Sequence, residues 1–271
     1  MIVVTGVTGN LGKIVINDLL ERVPASELVA VARTPAKAQE LADRGVEVRA
    51  GDYDDPASLE KAFAGADVLL FVSSPDITPG VRPRQHGNVV DAAKAAGVGR
   101  IVYTSAIGAQ DGPGFLADHT RTEGLLRDSG LPHTLLRNTF YTESLVNPGL
   151  QENVESGELV AADAGQPVNF ATIRDLALAA SATLTGDGHV GAVYELRGPV
   201  WTLAELAATV GDVAGKPVAY RQVPVEELEG LPAFLYGFIA TGLFAEPSDD
   251  LEKLLGRPAT SLREAVSAVL R

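Results

Sequence analysis

The chain has 271 residues, 46% of them hydrophobic, with a formal net charge of -13 and no cysteine. That length and apolar content suit one large α/β domain or a domain with an appended lobe. The charge argues against nucleic acid or an anionic membrane surface as a partner, and the lack of cysteine excludes disulfides, thiolate nucleophiles and Cys-ligated zinc.

The first half alternates strand and helix. An apolar strand, Ile2–Thr5, is followed by helical spacing from Asn10 to Glu21 (Leu11, Val15, Leu19, Leu20). It begins at once, without a basic n-region or small-residue cleavage site, so nothing marks the chain for export. No apolar run reaches the length of a bilayer span. Both readings, with the absent cysteine, lead to a cytoplasmic expectation. Further strands are expected at Leu28–Ala32, Val46–Ala50, Val68–Val72, Ile101–Ser105 and Thr134–Leu136. Between them helices are expected from Pro35 to about Asp43, from Asp55-Pro56 to Gly65, over Arg84–Ala96, and over His119–Ser129. Mostly apolar strands alternating with helices give a doubly wound parallel sheet, an α/β fold.

After about residue 138 the rhythm breaks. Strand-like pieces (Leu159–Ala161, Ala192–Leu196, Val218–Tyr220) mix with helices (Arg174–Leu184, Leu203–Val213, Leu262–Leu270). The expected division is therefore a dinucleotide-type domain over 1–138 and a smaller C-terminal α/β lobe over 139–271, with some chain exchange back to the sheet. The lobe is expected at the carboxyl ends of the strands, where open α/β sheets bind ligands. Residues 225–246 spell no specificity and read either as a lid or as a dimer contact.

Between the first strand and the first helix stands TGVTGNLGK, with Gly6, Gly9 and Gly12 at intervals of three. Glycine costs conformational entropy on folding, so a cluster needs a reason. The strand–loop–helix context is that of a dinucleotide fingerprint, here G-x-x-G-x-x-G. The backbone of Gly6, Thr8, Gly9, Asn10, Leu11 and Gly12 would approach a pyrophosphate, and the helix N-terminus would offer it free N–H groups. The second strand ends in VAVART. Where an acidic residue would select the ribose 2′-hydroxyl, the chain has Arg33, with Lys37 one turn further on. A guanidinium pairs with a 2′-phosphate, so NADPH is expected over NADH. Asp52 and Tyr53 either flank the adenine or belong to a helix N-cap region with Asp55 before Pro56. Ser73 and Ser74 end the fourth strand along the expected ribose. Thr104 and Ser105 end the fifth, near the expected nicotinamide. His119 reads as a helix-start residue ahead of a catalyst, and His86 as structural ahead of facing the cofactor. The four histidines make no metal pattern.

TGVTGNLG, VARTPAKA, GDYDD, NVVDAAKAAGV, IVYTS and TLLRNTFYTES, in this order, resemble the NmrA-like, atypical short-chain dehydrogenase/reductase group, and within it the bacterial type 2 NAD(P)H:quinone oxidoreductases. The likeness extends through YELRGPVWTLAELA and LLGRPATSL. It implies a Rossmann domain, NADPH, a quinone-like acceptor between the lobes, and a monomer or homodimer. It also implies that Asn138, Phe140 and Tyr141 lie near the nicotinamide and acceptor. The larger superfamily uses a Tyr-x-x-x-Lys proton donor, and no tyrosine here has a lysine four residues on; the corresponding stretch reads His119-Thr-Arg-Thr-Glu123. Hydride transfer to a ketone makes a strongly basic alkoxide that needs a placed acid. Transfer to a quinone makes a stabilised anion that water can protonate, so the missing pair suits a quinone. Two alternatives share the motifs: a non-catalytic NADP-binding redox sensor of the NmrA type, and a reductase of activated alkenes.

Overall fold

Apolar residues at consecutive positions form strands only where both sheet faces are covered. In the computed structural model, which describes residues 1–109, 115–228 and 230–270, β1 (Ile2–Val4) is such a strand, buried at every position. It leads into α1 (Asn10–Leu19), whose Leu11, Val15, Ile16 and Leu19 face the core. β2 (Leu28–Ala32) is likewise buried throughout. A 3-10 turn at Pro35–Ala38 and the short α2 (Gln39–Asp43) follow, then β3 (Glu47–Ala50), α3 (Pro56–Phe63), β4 (Val68–Phe71), α4 (Val81–Ala95), β5 (Arg100–Ala106), α5 (Phe115–Ser129) and β6 (His133–Asn138). The remainder is α6 (Leu150–Ser156), β7 (Glu158–Ala161), α7 (Ile173–Thr185), β8 (Val193–Leu196), α8 (Leu203–Ala214), β9 (Ala219–Gln222), α9 (Gly230–Ala240), α10 (Asp250–Leu255) and α11 (Leu262–Val269).

The main sheet has seven strands in the order β3-β2-β1-β4-β5-β6-β8. β1 pairs in parallel with β2 (Ile2 opposite Leu28) and with β4 (Ile2 opposite Val68). The chain winds outward in one direction from β1 to β3 and in the other from β4 to β6. The doubly wound parallel sheet expected from the sequence is thus present, and its reversal point lies between β1 and β4, where such sheets open a ligand crevice.

The chain separates into two compact units. The first comprises Met1–Asn138 with Leu176–Glu195, and the second Thr139–Asp175 with Leu196–Arg271. The core of the first is built on Val3, Val29, Val31, Leu69, Phe71, Ile101 and Tyr103 of the sheet, with Leu59, Phe63 and Val89 from α3 and α4. In the second, β7 and β9 pair in parallel (Glu158 opposite Ala219), and α8 packs against both strands, α6 and α11. Capping boxes at Thr202 with Glu205 and at Ser261 with Glu264 fix the starts of α8 and α11. Within the second unit, the buried carboxylate of Asp175 accepts hydrogen bonds from Arg257 Nη2 (2.6 Å) and the Thr260 N–H (2.7 Å), just before α11.

Several elements differ from the sequence expectation. The strand expected at Ala192–Leu196 is one residue shorter, Val193–Leu196, and forms an edge of the main sheet beside β6. α4 starts at Val81, three residues early, because Pro83 falls in its first turn, where a missing N–H costs no helical bond. α5 starts at Phe115 rather than His119, placing His119 one turn inside the helix. Residues 225–246, without an expected element, contain α9.

Candidate active site

The glycine loop sits between β1 and α1. Gly6 adopts φ +66°, a left-handed conformation that favours glycine. Its carbonyl accepts from the Gly9 N–H at 2.9 Å, which closes the turn. Gly12 is the tightest position: a Cβ there would lie 2.3 Å from the Gly6 carbonyl oxygen and 2.6 Å from its carbon. A side chain at Gly9 would meet only the Gly6 oxygen, at 3.3 Å. Gly9 caps α1 without any side-chain hydrogen bond, so the first amides of the helix keep their donors for something else. Thr8 and Asn10 are exposed beside them and Leu11 is buried beneath. The close packing of Gly12 and the uncapped amides fit a diphosphate.

Arg33 directly follows β2 and is exposed, as is Lys37 in the next turn. Arg33 forms no hydrogen bond or ion pair among the described residues, so its guanidinium is free to meet an anion. The carboxylate of Asp52 accepts the Asp54 N–H at 3.0 Å, while Asp55 caps α3 through Ser58, as the N-cap alternative supposed. The Tyr53 hydroxyl is 2.7 Å from Thr5 Oγ1 and donates to the Val72 carbonyl at 2.7 Å. Burial raises its pKa. What Tyr53 can offer a ligand is therefore its ring.

The hydroxyls expected at the ends of β4 and β5 are largely spent inside the protein. Thr104 Oγ1 accepts the Ser73 N–H at 2.8 Å. Ser74 Oγ donates to Gln85 Oε1 at 2.5 Å, its N–H to His86 Nε2 at 2.9 Å, and its carbonyl accepts from Arg82 Nε at 2.8 Å. Ser105 Oγ donates to Glu123 Oε1 at 2.7 Å. Glu123 is 1% exposed and is gripped by Arg137 at 2.8 and 3.0 Å. Burial pushes its carboxyl up, but the hydrogen bonds from Arg137 and Ser105 more than reverse this, leaving it below the usual carboxylate range.

Beneath these strand ends lies a cluster that sequence reasoning did not assemble. His86 uses both nitrogens: Nε2 accepts from Ser74 and Nδ1 meets Thr122 Oγ1 at 2.8 Å. Its pKa is pushed down to about 3, first by burial and then by His119 and Arg82. The Tyr103 hydroxyl lies 2.7 Å from His119 Nδ1. His119 is lowered to about 4, by burial and by the charge of Arg82. A signal was present: Arg82, Gln85, His86 and Val89 recur at helical spacing on the buried face of α4. Pro83 hid it by placing Arg82 outside the expected helix.

Asn138, the last residue of β6, is buried, and its Oδ1 has no hydrogen-bond partner. Phe140 and Tyr141 belong to the second unit. The Phe140 ring lies 4.8 Å from Phe244 and 5.8 Å from Phe170, inside an aromatic cluster. Tyr141 is 36% exposed, and burial of the rest raises its pKa.

A family model described as NAD(P)H-binding matches residues 6–179. The chain belongs to the NAD(P)H-binding family. It is 43% identical to quinone oxidoreductase 2 of Escherichia coli, with 98% of each chain covered. Triphenylmethane reductase of Citrobacter sp., solved in complex with NADP(H), matches with a TM-score of 0.95 and 41% identity over 99% of each chain. E. coli quinone oxidoreductase 2 in complex with NADPH matches with a TM-score of 0.91 and 41% identity over 100% of each. The resemblance read from TGVTGNLG through LLGRPATSL therefore holds. As a member of the NAD(P)H-binding family, the chain carries the glycine loop at the start of the matched region and Asn138 well inside it.

Proposed function

We propose that this protein is an NADPH-dependent reductase whose acceptor is a quinone. The carrying observation is the likeness to a quinone oxidoreductase along 98% of both chains, which reaches well beyond the nucleotide-binding half. The glycine loop and the uncapped start of α1 would hold the diphosphate, and Arg33 with Lys37 the 2′-phosphate. Asn138 Oδ1, buried without a partner, suits the amide donor of a nicotinamide. When bound, the nicotinamide would supply a hydride.

The protein's part is to position the rings and to tolerate the charge that appears on the acceptor. No Tyr-x-x-x-Lys pair exists to protonate an alkoxide, which favours an acceptor whose reduced form is a stabilised anion. Phe140 and Tyr141 would supply an aromatic wall and a hydroxyl on the acceptor side.

Purified protein given NADPH and, separately, a panel of quinones, aliphatic ketones and aldehydes should consume the cofactor only with the quinones. NADPH oxidation with a ketone but with no quinone would refute the reading, and tight NADP⁺ binding with no turnover on any acceptor would make the protein a sensor.

A further inference from the structure

Among the described residues of the first unit, two permanently charged or ionised side chains are more than nine-tenths buried, Arg82 and Glu123. Glu123 is ion-paired with Arg137 at 2.8 Å. Arg82 has no ion pair among the described residues. Its Nε is held by the Ser74 carbonyl at 2.8 Å, and its Nη1 is buried with no hydrogen-bond partner. Asp76 and Asp118 support its charge only from a distance, and burial works against it. An unpaired buried cation costs several kcal/mol, so a fold that keeps one leaves a place for an electron-rich partner.

Hydrogen-bond accounting assigns a second donor beside it. Because His86 Nε2 accepts the Ser74 N–H, the neutral ring carries its proton on Nδ1 and gives it to Thr122 Oγ1, which in turn donates to the Asp118 carbonyl at 2.7 Å. The Tyr103 hydroxyl lies 2.7 Å from His119 Nδ1 and 3.5 Å from the occupied His86 Nδ1, with Thr122 as a further hydrogen-bond partner. With Tyr103 donating across its shortest contact, to Nδ1, His119 carries its proton on Nε2. That Nε2–H makes no hydrogen bond within the described residues. Glu123, one turn on along α5, is turned to Ser105 and Arg137 and does not compete for it.

Both donors occupy the ligand edge of the sheet. Arg82 is in the first turn of α4, which follows β4, and His119 is early in α5, which follows β5. β4 adjoins β1 and its glycine loop. The two donors thus lie on the β4–β5 side of that loop and Arg33 on the β2 side, so a dinucleotide bound there with its 2′-phosphate at Arg33 would direct its nicotinamide towards them.

We propose that Arg82 and His119 Nε2–H bind the acceptor oxygen that becomes anionic on reduction. This rests on the quinone-reductase reading. The acceptor takes up a hydride, two electrons and one proton, from the reduced nicotinamide, which is oxidised. The electron pair displaced from the acceptor's carbonyl π system settles on its oxygen, and water supplies the second proton. A cation and a fixed neutral N–H donor aimed at that oxygen lower the barrier without any proton transfer from the protein. Tyr103 is a positioning residue, holding the His119 tautomer.

The probe is 2-hydroxy-1,4-naphthoquinone, an anion at neutral pH, titrated by calorimetry into the NADP⁺-loaded protein. Arg82→Met and His119→Phe should each weaken its binding by about 10-fold or more. Each should also lower kcat with neutral 1,4-naphthoquinone by roughly 100-fold while NADP⁺ affinity stays within about twofold. His119→Gln, which keeps an N–H donor, should retain much of the anion affinity. Should Arg82→Met fail to fold, Arg82→Lys and the His119 pair carry the test. Unchanged anion affinity and kcat in folded variants overturns the proposal, as does an equal loss of NADP⁺ affinity, which would give the donors to the cofactor. A wild-type protein that reduces no quinone removes the underlying reading; a wild type that does, with unaffected variants, removes only the pair.

Discussion

Replacing Gly12 with alanine would set a Cβ 2.3 Å from the Gly6 oxygen, 2.6 Å from the Gly6 carbon and 3.0 Å from the Val7 nitrogen. These are backbone atoms and cannot rotate aside. Since a carbon normally approaches a carbonyl oxygen no closer than about 3.3 Å, the loop or the start of α1 must move by roughly 1 Å. Overpacking of this kind costs about 1–3 kcal/mol, or about 2–12 °C in Tm for a domain of this size. The same displacement would carry amides out of reach of a diphosphate. With hydrogen bonds to charged groups worth about 1.5–3 kcal/mol each, losing one or two should weaken NADPH by about 10-fold at the least. Gly9→Ala is the control. Gly9 has φ -91° and ψ 169°, a backbone any residue adopts, and its Cβ would meet only the Gly6 oxygen at 3.3 Å. It should melt within about 2 °C of wild type yet lose NADPH affinity by about 10-fold or more, because its methyl enters the space of close approach. Thermal melts without ligand and calorimetric titration with NADPH separate the two effects. A Gly12→Ala protein with wild-type Tm and affinity would refute the steric argument, and full affinity in Gly9→Ala would place the diphosphate elsewhere.

Arg33→Asp should lower NADPH affinity by about 10–100-fold, the worth of one charge-assisted pair, while leaving NADH nearly unchanged; fluorescence titration of both cofactors checks it, and an unaltered NADPH constant would make Arg33 a bystander. Glu123→Gln leaves Arg137 with Glu195 as its remaining partner and should destabilise by about 3 kcal/mol at pH 7. Because the Glu123 carboxyl is held below its ordinary value, its contribution is complete above the unfolded carboxylate pKa and disappears as pH falls through the folded one. The gap in denaturant midpoint between wild type and Glu123→Gln should therefore close on acidification below about pH 4, and a gap independent of pH would contradict the ion-pair account.

The sheet was legible because parallel strands covered on both faces leave continuous apolar runs such as LVAVA in β2. The glycine loop was legible because close backbone approach restricts residue choice. The second unit was harder. α9 reads GLPAFLYGFIA, apolar throughout, so it has no period to follow. Strand-end hydroxyls are hard to read from sequence for a general reason. The hydroxyls of Ser74, Thr104 and Ser105 are engaged inside the protein by the Gln85 side-chain amide, the Ser73 N–H and the Glu123 carboxylate. Those partners lie in α4, in α5 and just after β4, far off in sequence, which spacing alone does not reveal. Arg82 was missed through a boundary error of three residues at a proline.

The position of β8 bears on how the chain is made. The main sheet finishes with a strand that starts at Val193, whereas its neighbour β6 ends at Asn138. At ~5–20 residues per second, a ribosome needs several seconds to deliver what lies between. Throughout that interval β6 is an open margin with unpaired main-chain groups, the kind of edge on which nascent chains stick to one another. Completion of the nucleotide-binding half during synthesis must therefore wait on residues 176–195, and a gene shortened at residue 138 should yield an aggregation-prone fragment instead of a miniature binding domain.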